Sequence, residues 1–270
     1  MLEIQGIRKT FNPGTVNEVC ALRGVNLTIA DGSFVVVLGM NGSGKSTLLN
    51  AVAGSFLVDE GTIRIAGKDV TRWPEHMRAS MIGRVFQNPF SGTAPSMSIA
   101  ENFALATRCG KTRGCGWALS RDLMEPLRER IAGLRMGLEN RLDNAIGSLS
   151  GGQRQALTLL MASWIKPDLL LLDEHTAALD PKSADQVIAL TSEVVQRDRL
   201  TTLMVTHSMP QAVNLGDRIV MMNHGRILHD FCGAEKRRLR TEDLFDRFNE
   251  VRAREQLDEG AAEMLRENYI

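Results

Sequence analysis

Apolar and polar residues alternate at the start of the chain: Leu2 and Ile4 flank Glu3, and Val25, Leu27 and Ile29 are separated by Asn26 and Thr28 ahead of an Asp31-Gly32 turn. A period of two predicts half-buried strands. The run 34–38 is apolar at every position and rich in valine, as expected of a strand covered on both faces. A glycine-rich loop follows. From Lys45 the period becomes helical, with Leu48, Leu49 and Val52 on one face and Gly54 placed to end the helix. Alternation returns over 62–66, Gly67-Lys68 makes a turn, and 81–86 reads as another strand.

Between about 88 and 149 the composition shifts to helix formers punctuated by glycine and arginine. Ser98 with Glu101 three residues later forms a capping box, and the region 119–138 supplies further helical spacing. A helix over 150–166 is predicted to stop before Pro167, and 169–172 and 203–206 read as buried strands. Strands alternating with helices predict an α/β fold. The expected division is a core of 1–88 and 161–233, a helical insertion of about 89–160, and a charged helical tail of 234–270. In that tail Leu244, Phe245, Phe248 and Val251 stand near helical spacing.

Composition narrows the functional classes. The chain has 270 residues, 43% hydrophobic and 24% charged, which is ordinary for a globular protein. Lysine plus arginine and aspartate plus glutamate stand at 32 each, so no overall basic charge argues for a nucleic-acid partner. The longest apolar stretches, around 34–40 and 169–172, fall short of the roughly 20 residues that span a bilayer. The first five residues lack the features of a secretory signal, so a cytosolic location is expected. Cys20, Cys109, Cys115 and Cys232 show neither zinc nor redox spacing, and no role is assigned to them.

Three segments carry chemistry. Gly39-Met40-Asn41-Gly42-Ser43-Gly44-Lys45-Ser46 fits a phosphate-binding loop and sits between a predicted strand and a predicted helix. Glycines let the loop turn its N–H groups around a polyphosphate, and the helix N-terminus completes the anion site. Lys45 is expected on the β- and γ-phosphates, Ser46 on Mg²⁺, and Thr47 on a nearby phosphate. A nucleoside triphosphate is the expected ligand. Second, the strand 169–172 ends in Asp173 and Glu174, at the strand end where open α/β sheets bind ligands. Asp173 can hold the metal through water, and Glu174 can polarise an attacking water. Third, Leu149-Ser150-Gly151-Gly152-Gln153 opens a helix with a capping box of Ser150 and Gln153. Two glycines in a first turn are costly for a helix that only packs, and they suit a second phosphate-binding surface. Two chains placed head to tail could then enclose two nucleotides.

With these motifs in this order, the chain resembles the ATP-binding cassette (ABC) ATPases up to about Gly233. The resemblance implies a P-loop NTPase (RecA-like) α/β core, an N-terminal antiparallel β subdomain and an inserted all-helical subdomain. It implies ATP and Mg²⁺ as cofactors, with Ser150, Gly151 and Gly152 on the γ-phosphate held by a partner subunit. Gln87 matches the family's glutamine loop, which contacts Mg²⁺ and links the site to the permease-binding subdomain. His207 matches the switch histidine that holds the γ-phosphate and orients Glu174, and Asp180 matches the aspartate that communicates between sites. Phe11 matches the aromatic residue that stacks on adenine, where tyrosine is frequent. His175 stands where proline is usual and sets an imidazole, a group able to titrate near neutral pH, beside the catalytic carboxylate.

The implied function is ATP hydrolysis driving solute import at the cytoplasmic face of a membrane. The implied partners are a second ATPase subunit, permease subunits and a separate solute-binding protein. Import is preferred because many exporters fuse the cassette to a membrane domain. The phrases from Gly92 to Met97 and from Glu174 to Asp180 look similar to a bacterial importer subfamily linked to uptake of amino acids or other small solutes. An exporter subunit and a cassette acting on ribosomes or DNA are the alternatives, but the latter generally carry two cassettes or a long coiled coil, and this chain shows neither. A kinase or GTPase would leave the glycine pair after Ser150 unexplained.

Overall fold

A computed structural model of the chain describes residues 1–108 and 121–250. Strands β1 (Leu2–Phe11) and β2 (Val19–Ile29) pair antiparallel, and β3 (Phe34–Gly39) leaves to found a second sheet. After helix α1 (Lys45–Ala53), strands β4 (Glu60–Ile65) and β5 (Lys68–Asp69) complete the first sheet in the order β2-β1-β4-β5. Both opening strands are longer than their alternation predicts. Register shifts near Ile4, Ile7 and Lys9 break the period of two, so the outer halves lose the pattern while keeping the pairing.

The chain continues through α2 (Glu75–Arg78), β6 (Ile82–Val85), α3 (Ile99–Ala106), α4 (Arg121–Ala132) and α5 (Gly151–Ser163). Then come β7 (Leu169–Asp173), α6 (Pro181–Asp198), β8 (Thr202–Thr206), α7 (Met209–Leu215), β9 (Arg218–Asn223), β10 (Arg226–Cys232) and α8 (Gly233–Arg238). The second sheet has the order β10-β9-β3-β8-β7-β6, parallel except for β10. All six residues of β3 are buried, because it lies inside the sheet with helices on both faces.

Alternate strand residues feed two apolar layers. Val35, Val37, Leu169, Leu171, Leu203 and Val205 pack with Leu48, Leu49 and Val52 of α1 and with the first sheet. Val36, Leu38, Leu170, Leu172 and Met204 pack on the opposite face with Val194 and Val195 of α6. At about 1.5–3 kcal/mol for each fully buried aliphatic side chain, these layers dominate the stabilisation of the sheet. A third cluster joins Phe103 of α3, Leu127 and Ile131 of α4, and Leu157 and Leu160 of α5, so the helical stretch between β6 and β7 has its own core.

Helix α1 carries the phosphate loop, and its far end is fixed by a buried cation. Arg78 is fully buried and donates to the carbonyls of Ala51 and Val52 at 2.8 Å, Trp73 at 2.8 Å and Thr71 at 3.2 Å. A guanidinium there satisfies the orphan carbonyls and the negative end of the helix dipole. Burial alone pushes Arg78 down to about 10. Gly54 makes room for it, since a Cβ there would stand 2.8 Å from Arg78 Nε.

One boundary shifts. Helix α5 ends at Ser163, short of the predicted 166, and Lys166 takes a positive φ of 49° before Pro167. In the tail, Leu244 is buried and Phe248 packs beside it, whereas Phe245 is exposed. Val251, Cys109, Cys115 and Leu119 lie outside the described residues.

Candidate nucleotide site

Four neighbouring parallel strands end along one edge of the second sheet. Leu38 of β3 is level with Thr206 of β8, Val205 with Asp173 of β7, and Leu172 with Val85 of β6. That register delivers the phosphate loop, His207, the Asp173-Glu174 pair and Gln87 to a common edge, where doubly wound sheets bind ligands.

The phosphate loop adopts backbone conformations that glycine permits. Gly42 and Gly44 have φ of 80° and 97°, and a Cβ on Gly44 would approach the Ala21 carbonyl to 2.7 Å. Gly44 occupies the N-cap of α1 with no side-chain cap, so the first N–H groups of that helix face the loop without a side-chain acceptor. The Ser43 hydroxyl is buried with no partner at the floor of the loop, packed against Gly39. Lys45 is 5% exposed and its Nζ donates to the Met40 carbonyl at 2.8 Å. Burial lowers the Lys45 pKa, and the charges of Glu174 and Asp173 oppose that shift.

The acidic pair is held differently at its two members. Asp173 ends β7 and is raised above the usual carboxylate range chiefly by burial, with Arg84 pulling it down and Glu174 pushing it up. Glu174 takes a positive φ of 41°, a strained conformation for a non-glycine residue, and its N–H donates to the Val205 carbonyl at 3.0 Å. The turn aims its carboxylate at His207, whose Nδ1 lies 3.2 Å from Oε2.

His175 departs from expectation. Its ring is completely enclosed, Nε2 lies 3.0 Å from the Thr191 hydroxyl, and Nδ1 is buried without a partner. Thr191 gives its own proton to the Val187 carbonyl at 2.8 Å, so His175 must be the donor, neutral and protonated on Nε2. Burial pushes it down to about 4, so it does not titrate near neutrality.

An open cleft of approximately 750 Å³ lies over the loop. Phe11, Asn41, Gly42, Gly44, Lys45, Ser46, Thr47, Gln87 and Glu174 line it, together with Cys20, Arg23 and His224. Phe11 is the last residue of β1 and packs edge-on against Phe56, their ring centres 5.2 Å apart. Gly39 and Ser43 lie behind the loop and outside the cleft lining.

The signature segment stands apart from that cleft. Ser150 caps α5 and accepts from the Gln153 N–H at 3.3 Å, while Gln153 Oε1 accepts from the Ser150 N–H at 3.2 Å, completing the expected capping box. Gly152 also has a packing reason that the sequence did not reveal, because a Cβ there would come 2.8 Å from Ser183 of α6. Asp180 caps α6 by accepting from the Ser183 N–H at 3.1 Å, and the Ser183 side chain together with that N–H draws its pKa below the usual range. Neither Ser150-Gly151-Gly152-Gln153 nor Asp180 lines the cleft of its own chain.

Two groups escaped sequence reasoning. Arg154 is buried, donates to the carbonyls of Ile146, Gly147 and Leu149, and lies 3.7 Å beneath the Phe90 ring, which steadies the approach to Ser150. Gln155 donates to the Phe86 carbonyl at 3.0 Å, tying α5 to the segment that carries Gln87. Both directly follow the signature, so their positions relative to it were the available signal.

Comparison with known proteins agrees with this geometry. The family model described as ABC transporter matches residues 22–177. A tyrosine transport ATP-binding protein of Clostridioides difficile is 41% identical over 250 residues, covering 92% of this chain and 98% of that protein. The lipoprotein-releasing system ATP-binding protein LolD 1 of Caulobacter vibrioides is 35% identical over 231 residues, 84% of this chain and 94% of its own length. Among solved structures, the ATP-binding cassette MJ0796, a dimer in a post-hydrolysis state with ADP and Pi, superposes with a TM-score of 0.72 at 28% identity, over 85% of this chain and 97% of that one. The chain therefore belongs to the ABC transporter family, as an ATP-binding subunit with ATPase activity.

Proposed function

We propose that this subunit energises import of a small solute, an amino acid in the first instance, from the cytoplasmic face of a membrane. The observation that carries the solute class is the 41% identity, across nearly the full length of both chains, to a tyrosine transport ATP-binding protein, and the direction is supported by 34% identity over 227 residues to a spermidine/putrescine import ATP-binding protein of Spiroplasma citri, 60% of whose length is matched. Import also requires permease subunits and a separate solute-binding protein. A groove of approximately 490 Å³ supports attachment to such a permease. It runs between Arg84 and Phe86 on the core side and Asn102, Leu105 and Met161 on the helical side, and Phe86 in its wall directly precedes Gln87. No helix among the described residues is long and apolar enough to cross a membrane.

In the proposed cycle, Lys45 and the loop N–H groups hold the triphosphate, and the Phe11 ring borders the base. Asp173, Ser46 and Gln87 offer a carboxylate, a hydroxyl and an amide, the hard oxygen donors that suit Mg²⁺ when phosphate and water complete the shell. Held there, the metal would offset the negative charge of the phosphate oxygens. Glu174 polarises the attacking water, and His207, within hydrogen-bonding distance of it, steadies its orientation and reaches the γ-phosphate. The Ser150-Gly151-Gly152 turn, exposed at Ser150 and Gly151, meets the γ-phosphate of a second copy, with Gln153 fixing the turn and Asp180 reporting between the two sites. ATP thereby closes the pair, hydrolysis opens it, and the helical stretch 89–160 passes the movement to the permease.

ATP-dependent accumulation of radiolabelled aromatic amino acids in vesicles containing the reconstituted permease, with the binding protein supplied on the opposite side, tests the reading. Uptake that stops with Glu174→Gln supports it. ATP-driven loss of a lipid-anchored protein from the membrane, with no amino-acid uptake, would favour a release function of the kind named for the 35% identical relative.

A further inference from the structure

Arg84 stands beside the metal-binding carboxylate, in a position the reaction just described does not use. It is level with Leu171 in the β6–β7 ladder, two residues before Asp173, and therefore shares the face of the sheet that carries α1. Its Nη2 donates to Asn50 Oδ1 on α1, and its Nη1 donates to Ser55 Oγ at 3.2 Å. The guanidinium lies 4.5 Å over the Phe86 ring, one residue before Gln87, and Nη1 is 3.6 Å from Glu75. From that seat Nη2 is 3.7 Å from Asp173 Oδ2, with 13% and 16% of the two side chains exposed.

That distance is too long for a hydrogen bond and short enough for a strong charge interaction. Asn50 takes the nearer hydrogen bond, so Arg84 reaches Asp173 as a charge and leaves the carboxylate lone pairs available. Around the loop Lys45 and Arg84 face Asp173 and Glu174, with Glu75 on the outer side of Arg84. An arginine cannot shed its proton, and the Asn50, Ser55 and Phe86 contacts hold it in place. A divalent metal arriving at Asp173 competes with this cation, whereas an anionic polyphosphate is drawn toward it.

We propose that Arg84 is a positioning residue, a fixed counter-cation to Asp173 that strengthens the hold on metal-free nucleotide and weakens the nucleotide's hold on its divalent metal. The inference rests on the reading that Asp173 faces Mg²⁺.

The test is titration of the purified full-length chain with the β,γ-imido analogue of ATP, once in EDTA and once in saturating Mg²⁺, by calorimetry. Coulomb energy scales with ligand charge, about four negative charges without metal and two with it, so the loss in Arg84→Met should be about tenfold in EDTA and about threefold in Mg²⁺. Arg84→Lys, which keeps the charge and alters the packing, should stay within about twofold of wild type in both. If Arg84→Met does not fold, Arg84→Gln carries the same comparison. A structural role predicts equal losses, or a larger loss with Mg²⁺, and either result overturns the proposal, as does Arg84→Lys behaving like Arg84→Met. Wild-type protein whose affinity ignores Mg²⁺ would overturn the metal reading itself, which separates the two failures.

Discussion

Helices α1 and α5 both start on glycines, and the two starts differ in what satisfies them. The N-terminus of α1 has Gly44 at its cap and no side-chain acceptor, and it is surrounded within the same chain by Lys45, Glu174 and the rest of the cleft lining. The N-terminus of α5 is fully capped by Ser150 and Gln153, yet Ser150 and Gly151 are exposed and no cleft residue of the same chain stands over them. An uncapped start inside a cleft is a preformed anion site. A capped start on the surface is finished as a helix, and under the proposed function its ligand comes from outside the chain. On that reading the contrast is between a site that one copy builds and a half-site that awaits a second copy.

The largest effect should come from the cleft. Glu174→Gln in the permease-containing complex should lower ATP turnover by at least about a hundredfold, the scale of a lost general base, while nucleotide binding by the isolated chain persists. Steady-state phosphate release and calorimetry check the two halves. Next comes the exposed turn. Gly151→Asp puts a negative charge where a phosphate is expected, so turnover in the complex should fall about ten- to hundredfold, while ATP affinity of the isolated chain stays within about twofold. Equal damage to binding in the isolated chain would erase the distinction between the two helix starts.

Two further expectations concern the supports behind the sites. Arg78→Met removes the buried donor shared by the Ala51, Val52 and Trp73 carbonyls, and should cost about 3 kcal/mol in urea unfolding. The smallest effect is a pH dependence. His175 is held at about 4 in the folded chain against 6.5 when unfolded, so between those values the unfolded chain binds the extra proton. Stability from this group is complete above about pH 6.5 and declines as pH falls toward 4. Between pH 7 and pH 5 the loss should be about 2 kcal/mol, and His175→Gln should flatten that part of the stability profile.

What could be read from the sequence was local. The phosphate loop spans consecutive residues between β3 and α1, and the Ser98–Glu101 and Ser150–Gln153 boxes are each complete within four positions. Helix α6 carried a start signal in Asp180-Pro181, but its apolar stripe of Val187, Thr191, Val194 and Val195 includes a threonine whose partner, His175, lies on another element. Strands β9 and β10 were not predicted; β10 is an edge strand with one buried residue, so its alternation is faint. Arg78, Arg84 and Arg154 resemble solvated charges in a linear reading, because each has one partner far away in sequence: the Ala51 and Val52 carbonyls, the Asn50 amide and the Phe90 ring. His175 was misjudged for the same reason: its burial is set by helix α6.

A composite site makes one demand that neither half can meet alone. Chains carrying Lys45→Ala and chains carrying Gly151→Asp should each be nearly inactive with the permease, yet mixing them before assembly should restore ATP turnover, since one of the two sites in a mixed pair pairs an intact loop with an intact serine turn. With random pairing, about a quarter of all sites are intact, which sets the scale of recovery. Turnover in the mixture no higher than in the two variants assayed separately would contradict the claim that each nucleotide is shared between two copies.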